Sequence, residues 1–298
     1  MNRTLFLLTF WLSGALMAPG ALKVVALHPF IGDLARNVGG DAVEVKDLLP
    51  LGGNPHDYEP SPSDFRNVAD ADIVLASGKK LENYLNKIRD NMSPRAKLIE
   101  VGREVPSCLI EANNEIFVCC PAHSVGSIDP HWWHSIKGMR RAAKVLAREF
   151  AKEDAANASL YSRQAKAYDR ELDNLYRWAK KEVGAIPRSR RVLCTAHAAF
   201  GYFCRDFGFR AAPVQGLTKE RNPSPSYLAE TIGMIRKLKI PAVFPENTAN
   251  PKILSSMVQE TGVTLGGTLL ADAPSDEHPT YIGTFRHNVS TIVAAFKP

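Results

Sequence analysis

Four residues of this sequence have the chemistry to hold a borderline divalent cation: His56, His131, His197 and Asp272. Neutral imidazole nitrogens and a carboxylate oxygen are donors that suit Zn²⁺, which takes about four ligands at roughly 2.0–2.2 Å in a tetrahedron. Neutral imidazole needs no deprotonation near pH 7, so a site built on three of them is ready to bind. Spacing alone identifies nothing, because the four lie dozens of residues apart and no His-Glu-x-x-His pair is present. What sets them apart is their place, since each is expected at the end of a strand or just ahead of a helix.

His56 lies in "NPHDYEPSPSD", Asn54 to Asp64, where Pro55, Pro60 and Pro62 stiffen the chain around it. Ser61 as N-cap with Pro62 at the first helical position predicts a helix start, and Asp64 stands where a capping box places its acid. Gly52 and Gly53 let the chain turn off the preceding strand. His56 is therefore delivered on a short, rigid loop of the kind that binds ligands at the carboxyl edge of an open α/β sheet. His131, in "DPHWWHS", precedes a helix expected to begin near Ile136. His197, in "VLCTAHAAFGYF", follows a strand and precedes a helix, and Asp272, in "TLLADAPS", follows a strand that includes Leu269 and Leu270.

The elements that must carry these loops come in two series. In the first, "LKVVAL", "AVEVKDLL", "DIVLAS" and "AKLIEV" alternate with the helical patterns "FIGDLARNVGG", "SPSDFRNVAD" and "LENYLNKIRD". In the second, "RVLCTA", "AAPV", "PAVFP" and "VTLGGTLL" alternate with "FGYFCRDFG", "SPSYLAETIGMIRKLK", "NPKILSSMVQETG" and "YIGTFRHNVSTIVAAF". Strict alternation predicts parallel sheets covered on both faces. Between the series, Leu160, Tyr161, Tyr168, Leu172, Leu175, Tyr176, Ala179 and Val183 recur at helical spacing, which predicts one long amphipathic helix from Ala155 to Val183, closed by Gly184 and Pro187. The expected fold class is α/β: two lobes, each with a mostly parallel sheet flanked by helices, joined by a long rigid helix. The expected divisions are 1–20 for an export segment, 21–150 for the first lobe, 151–187 for the linking helix and 188–298 for the second lobe.

The chain has 298 residues, 45% hydrophobic and 23% charged, the balance of a folded globular protein. Its first twenty residues carry Arg3, an apolar run from Leu5 to Met17 and then small residues, the layout of a cleavable secretory signal. The run is too short to span a bilayer, and no other segment approaches the roughly eighteen apolar residues a span requires. The first cysteine is Cys108, so a periplasmic protein without a lipid anchor is expected. The net charge of +6 is scattered rather than clustered with aromatics, so a nucleic-acid partner is not expected. Five cysteines, Cys108, Cys119, Cys120, Cys194 and Cys204, leave an odd one in an oxidising compartment, and Cys108 is placed to pair with Cys119 or Cys120.

The segments "NPHDYEPSPSD", "DPHWW", "TAHAAFGYF", "VQGLTKERNPSPSYLAE", "FPENTANPK" and "GGTLLADAPS", in that order, resemble the signature segments of the periplasmic solute-binding proteins that serve zinc and manganese ABC importers. The resemblance runs from about Lys23 to the C-terminus and implies the two-lobed fold with its rigid helix. It implies metal ligands at His56, His131, His197 and Asp272, a membrane permease as partner, a monomer, and capture and release with no chemical step. Histidine at the third ligand position is the zinc-type choice and glutamate the manganese-type one, so His197 favours Zn²⁺, with Mn²⁺ as the alternative. Three departures stand out. Asn54 replaces an aspartate whose side chain would brace the first ligand loop, His134 is an additional histidine after His131, and Glu111 to Ile128 contains only His123 instead of a His- and Asp-rich loop.

Blander roles are expected for several neighbours. His134 is expected on a helix face, and His278 and His287 in solvent; His28, after the first strand near the same carboxyl edge, is either a loop residue or a pocket residue supporting the ligands. Trp132 and Trp133 are expected to pack at the cleft between lobes, and Phe200, Tyr202 and Phe203 in the core. Glu246 either orients His197 or is a solvated helix-opening charge. Two rival functions use the same residues. An exported zinc hydrolase needs three protein ligands, an open position and a base, for which Glu246 is the candidate; an adhesin with a structural metal needs neither.

Overall fold

The computed structural model describes residues 20–109, 126–215, 225–248 and 252–296. Most of the predicted export segment, Cys119 and Cys120 with the pairing expected of them, His123 and the serine that opens the second Ser-Pro-Ser lie outside the described residues. Among the described residues no helix is long and apolar enough to cross a membrane.

Two four-stranded parallel sheets carry the molecule. In the first, β1 (Leu22–Ala26), β2 (Val43–Asp47), β3 (Ile73–Ala76) and β4 (Lys97–Glu100) lie in the order β2-β1-β3-β4. In the second, β5 (Val192–Thr195), β6 (Arg210–Ala211), β7 (Ala242–Phe244) and β8 (Thr264–Leu265) lie in the order β6-β5-β7-β8, so the same winding is used twice. The central strands β3, β5 and β7 are buried at every position, and β1 from Val24 onward, because helices cover both faces of each sheet. Those helices are α1 (Pro29–Gly39), α2 (Pro62–Ala69), α3 (Leu85–Asp90) and α4 (Ile136–Glu153) before the long α5, and α6 (Gly201–Phe207), α7 (Pro225–Leu238), α8 (Lys252–Thr261) and α9 (Tyr281–Phe296) after it.

The long helix α5 runs over Ala158–Gly184, about 40 Å at 1.5 Å per residue. It buries Tyr161, Ala165, Tyr168, Leu172, Leu175, Ala179 and Val183 against α1, α4 and α9. It begins three residues later than expected, because the Asp154 side chain accepts from the Asn157 amide and closes a separate short turn first. Gly184 is its last helical residue and not a left-handed terminator; the chain leaves through Ala185 in a right-handed conformation.

Three other boundaries differ from the sequence expectation. The strand expected over "VTLGGTLL" is paired only at Thr264–Leu265; the chain leaves the ladder at Gly266 and Gly267 and returns for a single parallel bridge between Leu269 and Glu246. Glycines without side chains to pack are a common place for a ladder to break. The strand expected at "AAPV" falls earlier, on Arg210–Ala211. The helix expected over "LENYLNKIRD" is limited to Leu85–Asp90, because Glu82 turns back so that its carboxylate accepts from the Ser77 and Gly78 amides at 2.6 and 3.1 Å.

Candidate metal centre

Each of the four expected residues sits on its own loop, and each loop is braced differently. Beyond β2, Gly52 adopts φ 71°, a left-handed conformation that favours glycine, and its amide donates to the Pro274 carbonyl at 2.7 Å. Asn54 Oδ1 accepts from the His56 amide at 3.1 Å, so the amide side chain braces the loop where an aspartate was the family expectation. On the far side, Ser61 and Asp64 form the capping box that the sequence predicted, and Tyr58 Oη donates to Asp64 at 2.9 Å. His56 is thus fixed from both ends.

His131 stands between a buried carboxylate and the buried indole of Trp133, whose ring centroid is 5.3 Å from its own. Asp129 Oδ1 accepts from both the backbone amide and Nδ1 of His131, each at 2.8 Å. Trp132 Nε1 donates to the carbonyl and hydroxyl oxygens of Ser77 at 3.1 and 2.9 Å. Burial pushes the Asp129 carboxyl up to about 7. Gly201, the first residue of α6, closes over this carboxylate so tightly that a β-carbon there would lie 2.6 Å from Oδ2. Asp129 was not singled out in the sequence, although an acid two residues ahead of a ligand histidine in "DPH" is a readable signal.

His197 follows β5 and donates its backbone amide to Glu246 Oε1 at 3.0 Å, while its Nδ1 bonds Glu246 Oε2. Glu246 is therefore the orienting carboxylate and not a solvated helix-opening charge. Asp272 lies on the turn after the Leu269 bridge, where its Oδ2 accepts from Thr248 Oγ1 at 2.8 Å. Side chains of the first lobe reach its backbone and that of Ala271. His28 Nε2 donates to the Asp272 carbonyl at 2.7 Å, and Trp133 Nε1 and His134 Nε2 donate to the Ala271 carbonyl at 2.9 and 2.8 Å.

The four loops bring three imidazole Nε2 atoms and Asp272 Oδ1 to within 4.8 Å of one another, all on buried residues. Asp272 Oδ1 is 3.6 Å from Nε2 of His56, 3.6 Å from that of His131 and 3.3 Å from that of His197, and the His56 and His131 Nε2 atoms are 3.0 Å apart. A tetrahedron with bonds of about 2.0–2.1 Å has edges of about 3.3–3.4 Å, so these separations bracket it. With Nδ1 of His131 and His197 directed at carboxylates, those rings turn Nε2 inward as basic donors. The donor set therefore fits a four-coordinate borderline cation.

Other expectations resolve around this centre. His28 and His134 are both buried, which holds their imidazoles down near 3 and keeps them neutral. His28 caps α1, its Nδ1 accepting from the Phe30 amide, so it is no ordinary loop residue. His134 precedes α4 in a short turn and stacks on Phe200 at 4.3 Å instead of lying on a helix face. Neither belongs to the four-residue cluster. Trp133 is buried where it meets the second-lobe segment at Ala271, as expected, whereas Trp132 is buried against Ser77 of the first lobe; Phe200, Tyr202 and Phe203 are buried as expected. His278 and His287 are half-buried rather than solvated, with ring centroids 4.5 Å apart. Cys108 is half-buried, and Cys194 and Cys204 are buried in the core.

The family described as ZnuA, zinc-uptake complex component A periplasmic, matches residues 24–295. Among curated relatives, the manganese-binding lipoprotein MntA of Bacillus subtilis is 33% identical over 284 residues, covering 93% of this chain and 90% of its own. The iron-binding protein YfeA of Yersinia pestis is 30% identical over 277 residues, covering 92% and 86%. Among solved structures, the periplasmic zinc-binding protein TroA of Treponema pallidum superposes with a TM-score of 0.84 at 27% identity, covering 94% of this chain and all of that one.

Proposed function

The chain belongs to the periplasmic zinc-uptake component A family, and on that premise we propose that His56, His131, His197 and Asp272 ligate the ion it carries, that this ion is Zn²⁺, and that the protein works as a monomer. The family comprises non-enzymatic solute-binding proteins of metal ABC importers, so the chain captures a metal ion outside the cytoplasm and hands it to a membrane permease. The hydrolase and adhesin readings are accordingly set aside. Glu246, the base that a hydrolase would need, is committed to the amide and ring of His197.

The observation that carries the ligand assignment is the convergence of four buried donors, one from each of four loops, within 4.8 Å. Relatives named for manganese, iron and zinc share the architecture, so the fold does not choose the ion; the donors must. Three imidazole nitrogens and one carboxylate oxygen favour zinc, because manganese is harder and takes more oxygen ligands. Four protein donors also leave no position for a reactive water, which suits carriage. Release by movement of the ligand loops accords with an α5 packed along its length, since wholesale hinge opening would shear that packing.

Competition between Zn²⁺ and Mn²⁺ for the metal-stripped protein tests the reading, with His197→Glu as the informative variant. Zinc should outcompete manganese in the natural protein, and the carboxylate should narrow the gap. If manganese competes equally in the natural protein, the zinc assignment falls while capture stands.

A further inference from the structure

One short turn stands behind both ligands of the second lobe. Glu246, Asn247 and Thr248 follow β7 and are tied to the Asp272 segment by the Leu269–Glu246 bridge, with the Asn247 amide donating to the Leu269 carbonyl at 3.1 Å and the Leu269 amide to the Pro245 carbonyl at 2.8 Å. Glu246 reaches one way to His197, and Thr248 reaches the other way to Asp272. The Thr248 hydroxyl donates to Asp272 Oδ2 at 2.8 Å, and it is the other oxygen, Oδ1, that faces the three imidazoles at 3.3 to 3.6 Å.

From this geometry we infer that Thr248 is a specificity-determining positioning residue: by engaging Oδ2 it makes Asp272 a one-oxygen ligand and holds the centre at four donors. The inference rests on the zinc reading and deepens it. A carboxylate free to rotate offers both oxygens, which raises the coordination number and the oxygen share of the donor set. That change costs a cation content with a tetrahedron little, and it favours one that prefers five or six ligands, as manganese does. Thr248 touches no cation itself; it acts only by fixing which face of a carboxylate is presented. Residues that orient ligands from behind in this way typically change metal affinity by about 10–100-fold when removed.

The test uses Co²⁺ as a spectroscopic probe, because four-coordinate Co²⁺ absorbs visible light far more strongly than five- or six-coordinate Co²⁺, and pairs it with zinc–manganese competition. The natural protein should give the intense four-coordinate spectrum. Thr248→Val should weaken it and narrow the zinc-over-manganese preference about 10-fold or more, and Thr248→Ser should restore both. Thr248→Ala, which adds no methyl group, serves if the valine variant does not fold. An unchanged cobalt spectrum and an unchanged preference in a folded valine or alanine variant overturn the inference and leave capture intact. A natural protein that binds neither zinc nor cobalt overturns the capture reading and the inference with it.

Discussion

The two sheets are wound in the same order but are not built to the same scale. In the first, β1 pairs with β2 over five residues, and β3 pairs with β4 over four. In the second, each of the three pairings extends over two residues. The packing, by contrast, is alike: each sheet turns one face to the core shared with the long helix, through Ile73 and Leu75 in the first and Leu193 and Phe244 in the second, and the other to a smaller cluster of its own, around Val25, Val68 and Val74 in the first and Val243, Ile235 and Met257 in the second. Repeating a fold thus need not repeat the length of its ladders. Where the ladders are short, the ligands are held by individual side chains: Glu246 behind His197, Thr248 behind Asp272, and Trp133, His134 and His28 across the lobe boundary onto the carbonyls of Ala271 and Asp272.

If the second half leans on the first in this way, removing the cross-boundary prop should have the largest effect. Trp133→Ala opens a cavity and removes a donor from the Ala271 carbonyl. It should destabilise the protein by about 3–5 kcal/mol in denaturant unfolding and weaken metal binding through Asp272. A variant of normal stability whose metal binding is intact would break the comparison.

A somewhat smaller effect belongs to the first half, where the loop from Ser77 that receives the Trp132 indole is itself held by Glu82. Burial pushes the Glu82 carboxyl up to about 7 from an ordinary 4.5. The folded protein therefore holds this proton more tightly than the unfolded chain. The stability linked to it is fully present below about pH 4.5 and is lost as pH rises through 7, by about 3 kcal/mol in all. Thermal melts of the metal-stripped protein and of Glu82→Gln should diverge over that interval, with the natural protein losing stability relative to the variant as pH rises. Parallel pH profiles would contradict the account.

The smallest effects should separate affinity from stability. Glu246→Gln and Asp129→Asn keep the shapes behind His197 and His131 but remove the negative charge facing each ring. Each should weaken zinc binding by about 10–100-fold while leaving the fold intact. Because Glu246 lies on the short-laddered side, its variant should also show faster amide exchange around β7; Asp129→Asn should show no matching change around β3.

Much of this was legible in the sequence, and the parts that were not share a cause. The capping box at Ser61 and Asp64, the run of alternating elements and the buried stripe of the long helix are local patterns, and local patterns carry through. All four residues of the cluster were identified because strand ends and helix starts can be placed from such patterns and the family segments fall on them. His134 reads as a helix-face residue because its spacing from His131 suggests one, yet its partner is a carbonyl 137 positions away. The same holds for His28, whose partner is the Asp272 carbonyl, and for Thr248, whose partner is known only once β7 and the Leu269 bridge are side by side. Gly184 carried the residue type of a helix terminator, but a glycine also fits a right-handed turn, and composition does not distinguish the two.

The central claim is that four particular side chains, two from each half, make one site. Calorimetric titration of the metal-stripped protein with zinc tests it most directly, using His56→Ala, His131→Ala, His197→Ala and Asp272→Ala beside His278→Ala as a control. The account predicts one zinc per chain in the natural protein and in the control, and no tight binding in any of the four variants. Tight one-to-one binding that survives in any one of those four would contradict it.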